Sequence, residues 1–456
     1  LNMDSMKVGG SLLMRDGAEF EEVYLRGAKI GEQISMIDSK FTGKLNMNGM
    51  EVGGNLFMRG EAEFKEVTLL GAKIRGQIDM AGSKFRGNLI MALIEVGGNL
   101  LMIDEAEFKE VNLLGAKIGR LISMIDSKFT GKLNMTSMEV RRSLFMRGGA
   151  EFKEVTLLGA KIEGQIDMID SKFTGKLNMT SIEVGHSLLM RGEAEFEEVY
   201  LRGAEIGGFI SLAGSTFNSI DLTETNVHGV FWLISSEYHG IAKWKSNSTM
   251  ILCNTKTGTL QDSKESWPEH LKLEGFVYSS LGKFYTNEGK DSATRDIAWF
   301  KEWLKKQEEY TPQPYEHLAK VLRKSGNVSM AHSILYAGRE RERNETATGL
   351  YWFWLTLLNY VIGYGYGYRI FFSLIWVIVF GAIGTILARI NKEGKERNIV
   401  WCIFYSLDLL LPVMKLDERH YKIELEGFAR YYFYFHIVTG FILASFVVAG
   451  ISGLVQ

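Results

Sequence analysis

Apolar residues in the first half of the chain recur in pairs two positions apart, such as Val23 with Leu25 and Ala28 with Ile30. The second members of successive pairs are five or six residues apart. Two residues two positions apart point to the same face of an extended strand, and the longer step then turns a corner. This pattern fits neither a helix nor a long alternating strand, and it predicts a β-solenoid with four short faces per coil.

A 44-residue unit is repeated five times over this part of the chain. Each copy must bury its apolar face against the next copy, and the length of one copy predicts two stacked coils. Glycines such as Gly27 and Gly43 fall near the corners, where a positive φ is cheap. We expect the solenoid to cover residues 1–235, with ten or eleven coils and a length of roughly 50 Å. Each copy contains Ala-Glu-Phe, at residues 18–20, 62–64, 106–108, 150–152 and 194–196.

The repeat resembles the pentapeptide-repeat family, whose unit carries a small residue two positions before a central Leu or Phe, as in Ser39 and Phe41. The resemblance covers about half of the chain and implies a right-handed, four-sided β-helix of pentapeptide-like repeats. Steps of six residues depart from the strict five-residue pattern. Some members of the family mimic DNA through a very acidic face, but residues 1–50 here carry six Lys or Arg and seven Asp or Glu. This balanced charge argues against a nucleic-acid mimic or partner.

The repeat pattern fades after Trp232, and the next part of the chain has a different character. Residues 236–266 are polar and irregular and predict a linker. Residues 267–349 show helical periodicity, with Pro314 suited to a helix start and Gly326 to a helix stop. This stretch resembles one tetratricopeptide-like helix hairpin. A single hairpin is too small for a peptide-binding groove, so we interpret it as an α-helical adaptor.

Long uncharged stretches in residues 350–456 predict a membrane domain. Residues 370–388 carry no charge, and residues 431–455 contain only His436 as an ionisable group. Both stretches are long enough to span a bilayer, which makes lipid the first expected partner. Two further apolar stretches are too short to span confidently. The predicted order is an interfacial helix at 350–363, a spanning helix at 370–388, a re-entrant helix at 399–413 and a spanning helix at 431–455.

This order resembles that of the two-transmembrane pore-loop channels. The residues at the place of the pore helix and filter are Tyr405, Ser406, Asp408, Leu411 and Pro412. An acid such as Asp408 is costly in an apolar segment unless it faces protein or water. The filter sequence Thr-Val-Gly-Tyr-Gly is absent at this place, so potassium selectivity is not supported.

A glycine-aromatic run precedes the first predicted spanning helix. It consists of Gly363, Tyr364, Gly365, Tyr366 and Gly367. Its sequence is similar to that of a potassium selectivity filter, but no outer helix comes before it. Because glycine adopts backbone conformations closed to other residues, the run predicts a hinge where the chain enters the membrane.

Nearly the whole chain resembles a bacterial family labelled putative membrane-associated oxidoreductase or pentapeptide-repeat membrane protein. The resemblance implies a bacterial inner (cell) membrane location. The chain carries no flavin, nicotinamide, haem or thiol motif, so we expect no enzyme activity, cofactor or metal. It has two cysteines, Cys253 and Cys402, which suits a reducing compartment. With no signal peptide before the repeats, this favours a cytoplasmic solenoid.

These patterns favour a membrane-anchored β-solenoid scaffold or sensor without catalytic activity, which binds an unidentified protein partner through its repeats. The alternative is an oligomeric ion-conducting pore or membrane effector of pore-loop topology, gated by the solenoid. We expect a homo-oligomer formed through the membrane domain, and the pore alternative requires one. Symmetric assembly around residues 370–456 distinguishes the two hypotheses.

Overall fold

A computed structural model describes residues 1–235, 240–285, 292–293, 295–411, 416–423 and 426–451 of the chain. The chain divides into two compact units, Leu1–Glu309 and Tyr310–Gln456. The first unit is a β-solenoid of about 12 turns built from parallel strands, which confirms the predicted solenoid class. The second unit is helical.

A stack of phenylalanine rings runs beneath the first of two long sheets. Neighbouring rings are nearly parallel, and the Phe64 and Phe85 centroids are 4.8 Å apart. From Phe41 to Phe217 the rings are at most 3% exposed, so the stack is a continuous part of the core. The 13 strands of this sheet are Glu19–Phe20, Val23–Tyr24, Lys40–Asn46, Glu63–Thr68, Lys84–Ile90, Glu107–Asn112, Lys128–Asn134, Glu151–Thr156, Lys172–Asn178, Glu195–Tyr200, Thr216–Asp221, Lys243–Ile251 and His270–Lys272.

The second sheet has 24 strands, most of them two residues long. One column of strands comprises Lys7–Val8, Lys29–Ile30, Glu51–Val52, Lys73–Ile74, Glu95–Val96, Lys117–Ile118, Glu139–Val140, Lys161–Ile162, Glu183–Val184 and Glu205–Ile206. Another comprises Leu12–Leu13, Ile34–Ser35, Leu56–Phe57, Ile78–Asp79, Leu100–Leu101, Ile122–Ser123, Leu144–Phe145, Ile166–Asp167, Leu188–Leu189 and Ile210–Ser211. The sheet is completed by Asn226–Trp232, Lys256–Ser263, Val277–Tyr285 and Ser292–Ala293, and a separate pair is Ile234–Ser235 with Gly240–Ile241.

Alternate coils of the first sheet differ by a bulge. Between Phe129 and Leu133 there is one residue more than between Phe108 and Val111 in the neighbouring strand. The extra residue bulges the strand. Gly131 lies within this bulge, where a Cβ would come 2.2 Å from the carbonyl oxygen of Lys109. Only glycine therefore fits, and the equivalent positions in the other copies are Gly43, Gly87 and Gly175.

Charge alternation gives a physical reason for a repeat of two coils rather than one. Equivalent residues of adjacent coils are neighbours at the strand spacing of about 4.8 Å, so identical coils would stack like charges. In this chain Lys128 pairs with Glu151 at 3.1 Å and Lys132 with Glu154 at 3.4 Å. Each such exposed pair contributes under about 1 kcal/mol, but alternation at these positions avoids the repulsion that stacked like charges would cause.

The solenoid continues through the segment that the sequence predicts to be an irregular linker. Strands Lys243–Ile251 and Lys256–Ser263 lie there and pair in parallel with the preceding coils. Trp244 takes the place of a phenylalanine, with its ring centroid 5.5 Å from that of Phe217. The pairing register shifts just after this contact, which is why the repeat spacing is lost from the sequence.

The final strand of the 13-stranded sheet is covered by the chain that follows it. Helix α1, Ile297–Lys305, is packed there through Trp303, whose ring centroid is 5.3 Å from that of Trp267. The backbone N–H of Leu271 donates to the Lys306 carbonyl at 3.0 Å. The N–H of Leu273 donates to the Gln307 side chain at 2.9 Å. These bonds satisfy an edge that would otherwise expose unpaired backbone groups.

The second unit contains seven α-helices among its described residues. Helix α2 ends at Lys324, two residues before Gly326, whose φ is +85°, and it packs on α3. Gly338 of α3 permits this contact, because a Cβ there would lie 3.0 Å from the Tyr315 ring. The helices are α2 Gln313–Lys324, α3 Val328–Glu345, α4 Gly349–Ile362, α5 Phe372–Ile390, α6 Lys392–Lys395, α7 Ile399–Leu410 and α8 Phe428–Ile451. Short 3-10 turns are Lys264–Ser266 in the first unit and Gly363–Gly365, Gly367–Phe371 and His420–Lys422 in the second.

We predict that Gly131→Ala lowers the free energy of unfolding by about 1–3 kcal/mol, because its Cβ collides with the Lys109 carbonyl. Gly10→Ala is the matched control, since a Cβ at Gly10 meets nothing within 4 Å. Thermal unfolding of both full-length variants, followed by circular dichroism, measures the difference. Equal unfolding midpoints for the two variants would contradict the bulge assignment.

Candidate functional site

Two helical segments are long and apolar enough to cross a membrane. They are Gly367–Ile390 and Phe428–Ala449, with mean hydropathies of 2.5 and 1.8. Only 22% of an 18-residue apolar stretch within each segment is buried, and side chains such as Ile378 and Phe441 are 70% and 65% exposed. The segments overlap the predicted spans at 370–388 and 431–455, although residues 452–455 lie outside the described part of the chain.

Helix α7 packs against both α5 and α8, and glycines allow the close approach. A Cβ at Gly384 of α5 would lie 2.2 Å from the Ser406 hydroxyl oxygen. A Cβ at Gly440 of α8 would lie 1.7 Å from the Leu410 carbonyl oxygen. Small residues at helix contacts are typical of membrane helix packing, where the backbones approach closely.

Ser406 and His436 connect these three helices through buried hydrogen bonds. The Ser406 hydroxyl donates to the Gly381 carbonyl of α5 at 2.9 Å. The His436 Nε2 lies 3.0 Å from the Ser406 carbonyl, and its Nδ1 lies 3.2 Å from the Tyr432 hydroxyl. Ser406 and His436 are both fully buried. The arrangement satisfies polar groups between helices and does not present the serine hydroxyl to solvent.

Asp408 is fully buried at the C-terminal end of α7 and organises the loop that follows. Its carboxylate accepts the backbone N–H groups of Leu416 at 2.9 Å and Asp417 at 3.1 Å. It also accepts the Nδ1–H of His420 at 2.9 Å. The Tyr421 hydroxyl donates to the Asp408 backbone carbonyl at 2.8 Å. The buried acid therefore holds residues 416–421 over the end of α7, and its carboxylate is fully engaged within one chain.

The hydrogen bonds to Asp408 also set its ionisation. Burial alone opposes ionisation, but the Leu416 and Asp417 N–H groups and His420 outweigh it and lower the pKa of Asp408. A carboxyl with a lowered pKa contributes stability at neutral pH, and that contribution is lost as the pH falls through its folded-state pKa. Asp408 therefore holds the loop in its ionised form.

The remaining predicted pore residues surround this contact in different ways. Tyr405 is 2% exposed, and its ring meets the His420 ring edge to face, with centroids 5.5 Å apart. Leu411 is half-buried, and Pro412 lies outside the described residues. The structure thus brings Tyr405 and Asp408 together at His420, while Ser406 points toward α5 and α8. Sequence reasoning missed His420, because a single histidine in a polar loop carries no distinguishing pattern.

The predicted hinge residues form a tight turn between α4 and α5. Positive φ angles occur at Gly363, Tyr364, Gly365 and Gly367, while Tyr366 is extended. The turn is also tightly packed: a Cβ at Gly363 would lie 2.4 Å from the Arg369 Cβ, and one at Gly367 would lie 2.9 Å from the His332 Nδ1. The positive φ angles and the close packing both favour glycine here. Hinge motion of this turn stays a prediction.

Helix α4 has one polar, anchored side and one exposed apolar side. The Tyr351 hydroxyl donates to Glu342 of α3 at 2.7 Å. The Tyr336 hydroxyl of α3 donates to the Asn359 side chain at 2.9 Å. Leu350 and Phe353 are 88% and 60% exposed. A helix rich in exposed aromatic residues is typical of the membrane interface, as the sequence predicts for residues 350–363.

On the solenoid, an open groove of about 880 Å³ is lined by the Lys and Glu residues that begin successive two-residue strands of the 24-stranded sheet, from Lys7 to Glu139. Its floor is formed partly by glycines, because a Cβ at Gly53 would lie 2.1 Å from the Gly31 carbonyl oxygen. Arg75 and Arg141 add positive charge to its lining. Such a groove can accept an extended or ridged surface. Among the described residues, no group of three or more His, Cys, Asp or Glu is arranged to hold a metal ion.

Comparison of the chain with protein-family models, with curated proteins and with solved structures finds no match. The resemblances drawn from its motifs therefore stay predictions. What the structure shows is a β-solenoid followed by helices, two of which are long and apolar enough to cross a membrane.

We predict that Asp408→Ala releases the loop over α7, because the His420 and backbone donors lose their buried acceptor. A loss of about 2 kcal/mol in the free energy that keeps the loop closed makes the open loop roughly 30-fold more populated. Tryptic cleavage after Arg419 and Lys422 should then be roughly 30-fold faster in detergent-solubilised protein. Exposed Glu418, changed to Gln, is the control on the same loop. Cleavage rates equal to those of the control would show that Asp408 does not hold the loop.

Proposed function

We propose that this protein is a membrane-anchored β-solenoid scaffold or sensor, without catalytic activity, that binds a protein partner through its repeats. The exposed apolar surface of segments Gly367–Ile390 and Phe428–Ala449 carries the proposal. Each Å² of apolar surface left in water costs roughly 25 cal/mol, and lipid removes that cost. The solenoid then presents its charged faces and glycine-floored groove at a membrane.

We further infer the arrangement of the membrane unit. The two long segments cross the bilayer, and α4 lies at its surface with its aromatic side toward lipid. Helix α7 has 12 residues and a length of about 18 Å, too short for a hydrocarbon core of about 30 Å, which supports a re-entrant helix. The proposal also includes a right-handed, four-sided coil, a cytoplasmic solenoid and a bacterial inner membrane.

The absence of catalysis is part of this proposal and is supported by the inaccessibility of one enzyme-like contact among the described residues of the helical unit. Ser406 lies 3.4 Å from the His436 Nε2, a spacing compatible with a loose serine–histidine pair. However, its hydroxyl is fully buried and donates to the Gly381 carbonyl. A nucleophile needs access to substrate, and this hydroxyl has none in the folded chain.

We predict that the full-length protein floats with phospholipid vesicles and yields two protease-protected peptides. The peptides should contain residues 367–390 and 428–449, because lipid shields spanning helices from proteinase K. Mass spectrometry of the digested vesicles identifies them, and the same digest in detergent without vesicles is the control. Recovery of the protein unbound at the bottom of the gradient would contradict membrane anchoring.

An oligomeric pore is the second candidate, favoured by an open apolar groove of about 430 Å³ between α5 and α7. The side chains of this surface at Gly381, Ala382 and Thr385 are small, so a helix of another copy can pack closely against it. Such a pore predicts dye-reported ion flux through the same vesicles, reduced by Asp408→Asn. Vesicles that stay ion-tight with the protein inserted would exclude the pore and leave the scaffold.

A further inference from the structure

A half-buried arginine stands at the start of the first long apolar segment, Gly367–Ile390. The Cζ of Arg369 lies 4.4 Å from the ring centroid of Tyr336 on α3 and 5.0 Å from that of Tyr368. Both contacts are of the cation–π kind, which favours a guanidinium group over an aromatic face. The two rings therefore hold the Arg369 guanidinium in place at this end of the segment.

Two further basic side chains come to the same place from α3 and from the end of α2. A Cβ at Gly367 would lie 2.9 Å from the His332 Nδ1, so the turn before α5 packs directly on this histidine. His332 also lies one helical turn before Tyr336, on the same face of α3. Burial lowers the pKa of His332, and the charges of Arg323 and Arg369 lower it further, so both arginines are near it. Arg323, His332 and Arg369 form what we call the basic cluster.

The chain supplies no anion to this cluster. Within the part of the chain that the structure describes, the side chains of Arg323 and Arg369 form no ion pair and no hydrogen bond. No Asp or Glu occurs in residues 317–339 or 346–392. The glutamates between these ranges are already paired with arginines of α3, in the pairs Arg339–Glu342, Arg341–Glu345 and Arg343–Glu340.

This lack of partners indicates a ligand from outside the chain. A guanidinium group is always charged and carries five N–H donors, so a half-buried one without an acceptor is unfavourable. The His332 Nε2 is also buried without a hydrogen-bond partner among the described residues. Such atoms are rare in folded proteins. An anion bound here would give the cluster an acceptor and would offset the repulsion between Arg323 and Arg369.

The surroundings of the cluster indicate which anion is available. Beyond Arg369, α5 presents apolar side chains outward, with Leu374 and Ile375 44% and 57% exposed. Tyr368, beside Arg369, is 68% exposed. Arginine and tyrosine at the end of a spanning helix lie at the level of the lipid headgroups, and the apolar side chains beyond them lie at the level of the acyl chains.

We propose that the basic cluster binds the headgroup of an anionic phospholipid whose acyl chains lie along the exposed side of α5. The guanidinium fork of Arg369 donates two parallel hydrogen bonds to the headgroup phosphate, and Arg323 adds a second positive charge. A headgroup with its own cation, such as choline, would meet the like charge of Arg323. The site rests on the proposed membrane anchoring and adds a lipid specificity to it.

Native mass spectrometry of full-length protein in detergent tests this site, with phosphatidylglycerol and phosphatidylcholine of the same acyl chains as probes. We expect phosphatidylglycerol to bind more tightly than phosphatidylcholine. Arg369→Gln should weaken phosphatidylglycerol binding about tenfold and leave phosphatidylcholine binding unchanged, because charged hydrogen bonds are lost. Arg323→Gln, at an exposed position, should weaken it about threefold without affecting the fold.

Arg397→Gln is the matched control, because the Arg397 guanidinium also lies over an aromatic ring, 5.0 Å from the Trp401 centroid, but outside the cluster. It should leave phosphatidylglycerol binding unchanged, and thermal unfolding midpoints should show that all three variants are folded. Equal binding of the two lipids by the unmodified protein would overturn the proposal, and so would equal effects of Arg397→Gln and Arg369→Gln.

Two further measurements separate this site from a free-phosphate site and from membrane anchoring itself. Excess inorganic phosphate should leave phosphatidylglycerol bound, because the acyl chains contribute to binding; displacement of the lipid would overturn a lipid site. The Arg369→Gln protein should still float with phosphatidylcholine vesicles, held by its two apolar segments. Failure of the unmodified protein to float would contradict the anchoring, whereas flotation without any preference for phosphatidylglycerol would contradict this site alone.

Discussion

The parallel stacking of coils at one strand spacing is the constraint on which the first unit depends. Every residue lies about 4.8 Å from its equivalents in the coils before and after it, so each side chain must tolerate copies of itself. Phenylalanines such as Phe108 and Phe129 tolerate this by stacking at 4.9 Å. Glycines tolerate it by having no Cβ, and most of the stacked charges tolerate it by alternating in sign. The 44-residue period follows from that requirement.

The helical unit follows a different rule, in which buried polar groups must find partners between helices. Asp408 meets this rule by accepting donors from the loop after α7, and Ser406 meets it through α5 and α8. Both residues therefore use their hydrogen bonds to hold parts of one chain together. A path for ions along Asp408 would require these hydrogen bonds to be exchanged for others, which makes the scaffold the simpler interpretation of the same geometry.

The sequence by itself determined the solenoid, its inward residues and the two apolar segments, because these depend on local periodicity and composition. Phe41 and Val52 lie inside as their spacing predicts. Tertiary structure alone decided the rest. The coils after Trp232 are hidden by register shifts, and the role of Asp408 depends on His420, twelve residues away in a loop without periodicity. The alternation of charge likewise becomes visible only when stacking aligns residues 22 apart, because contact between coils, not adjacency in the chain, brings these charges together.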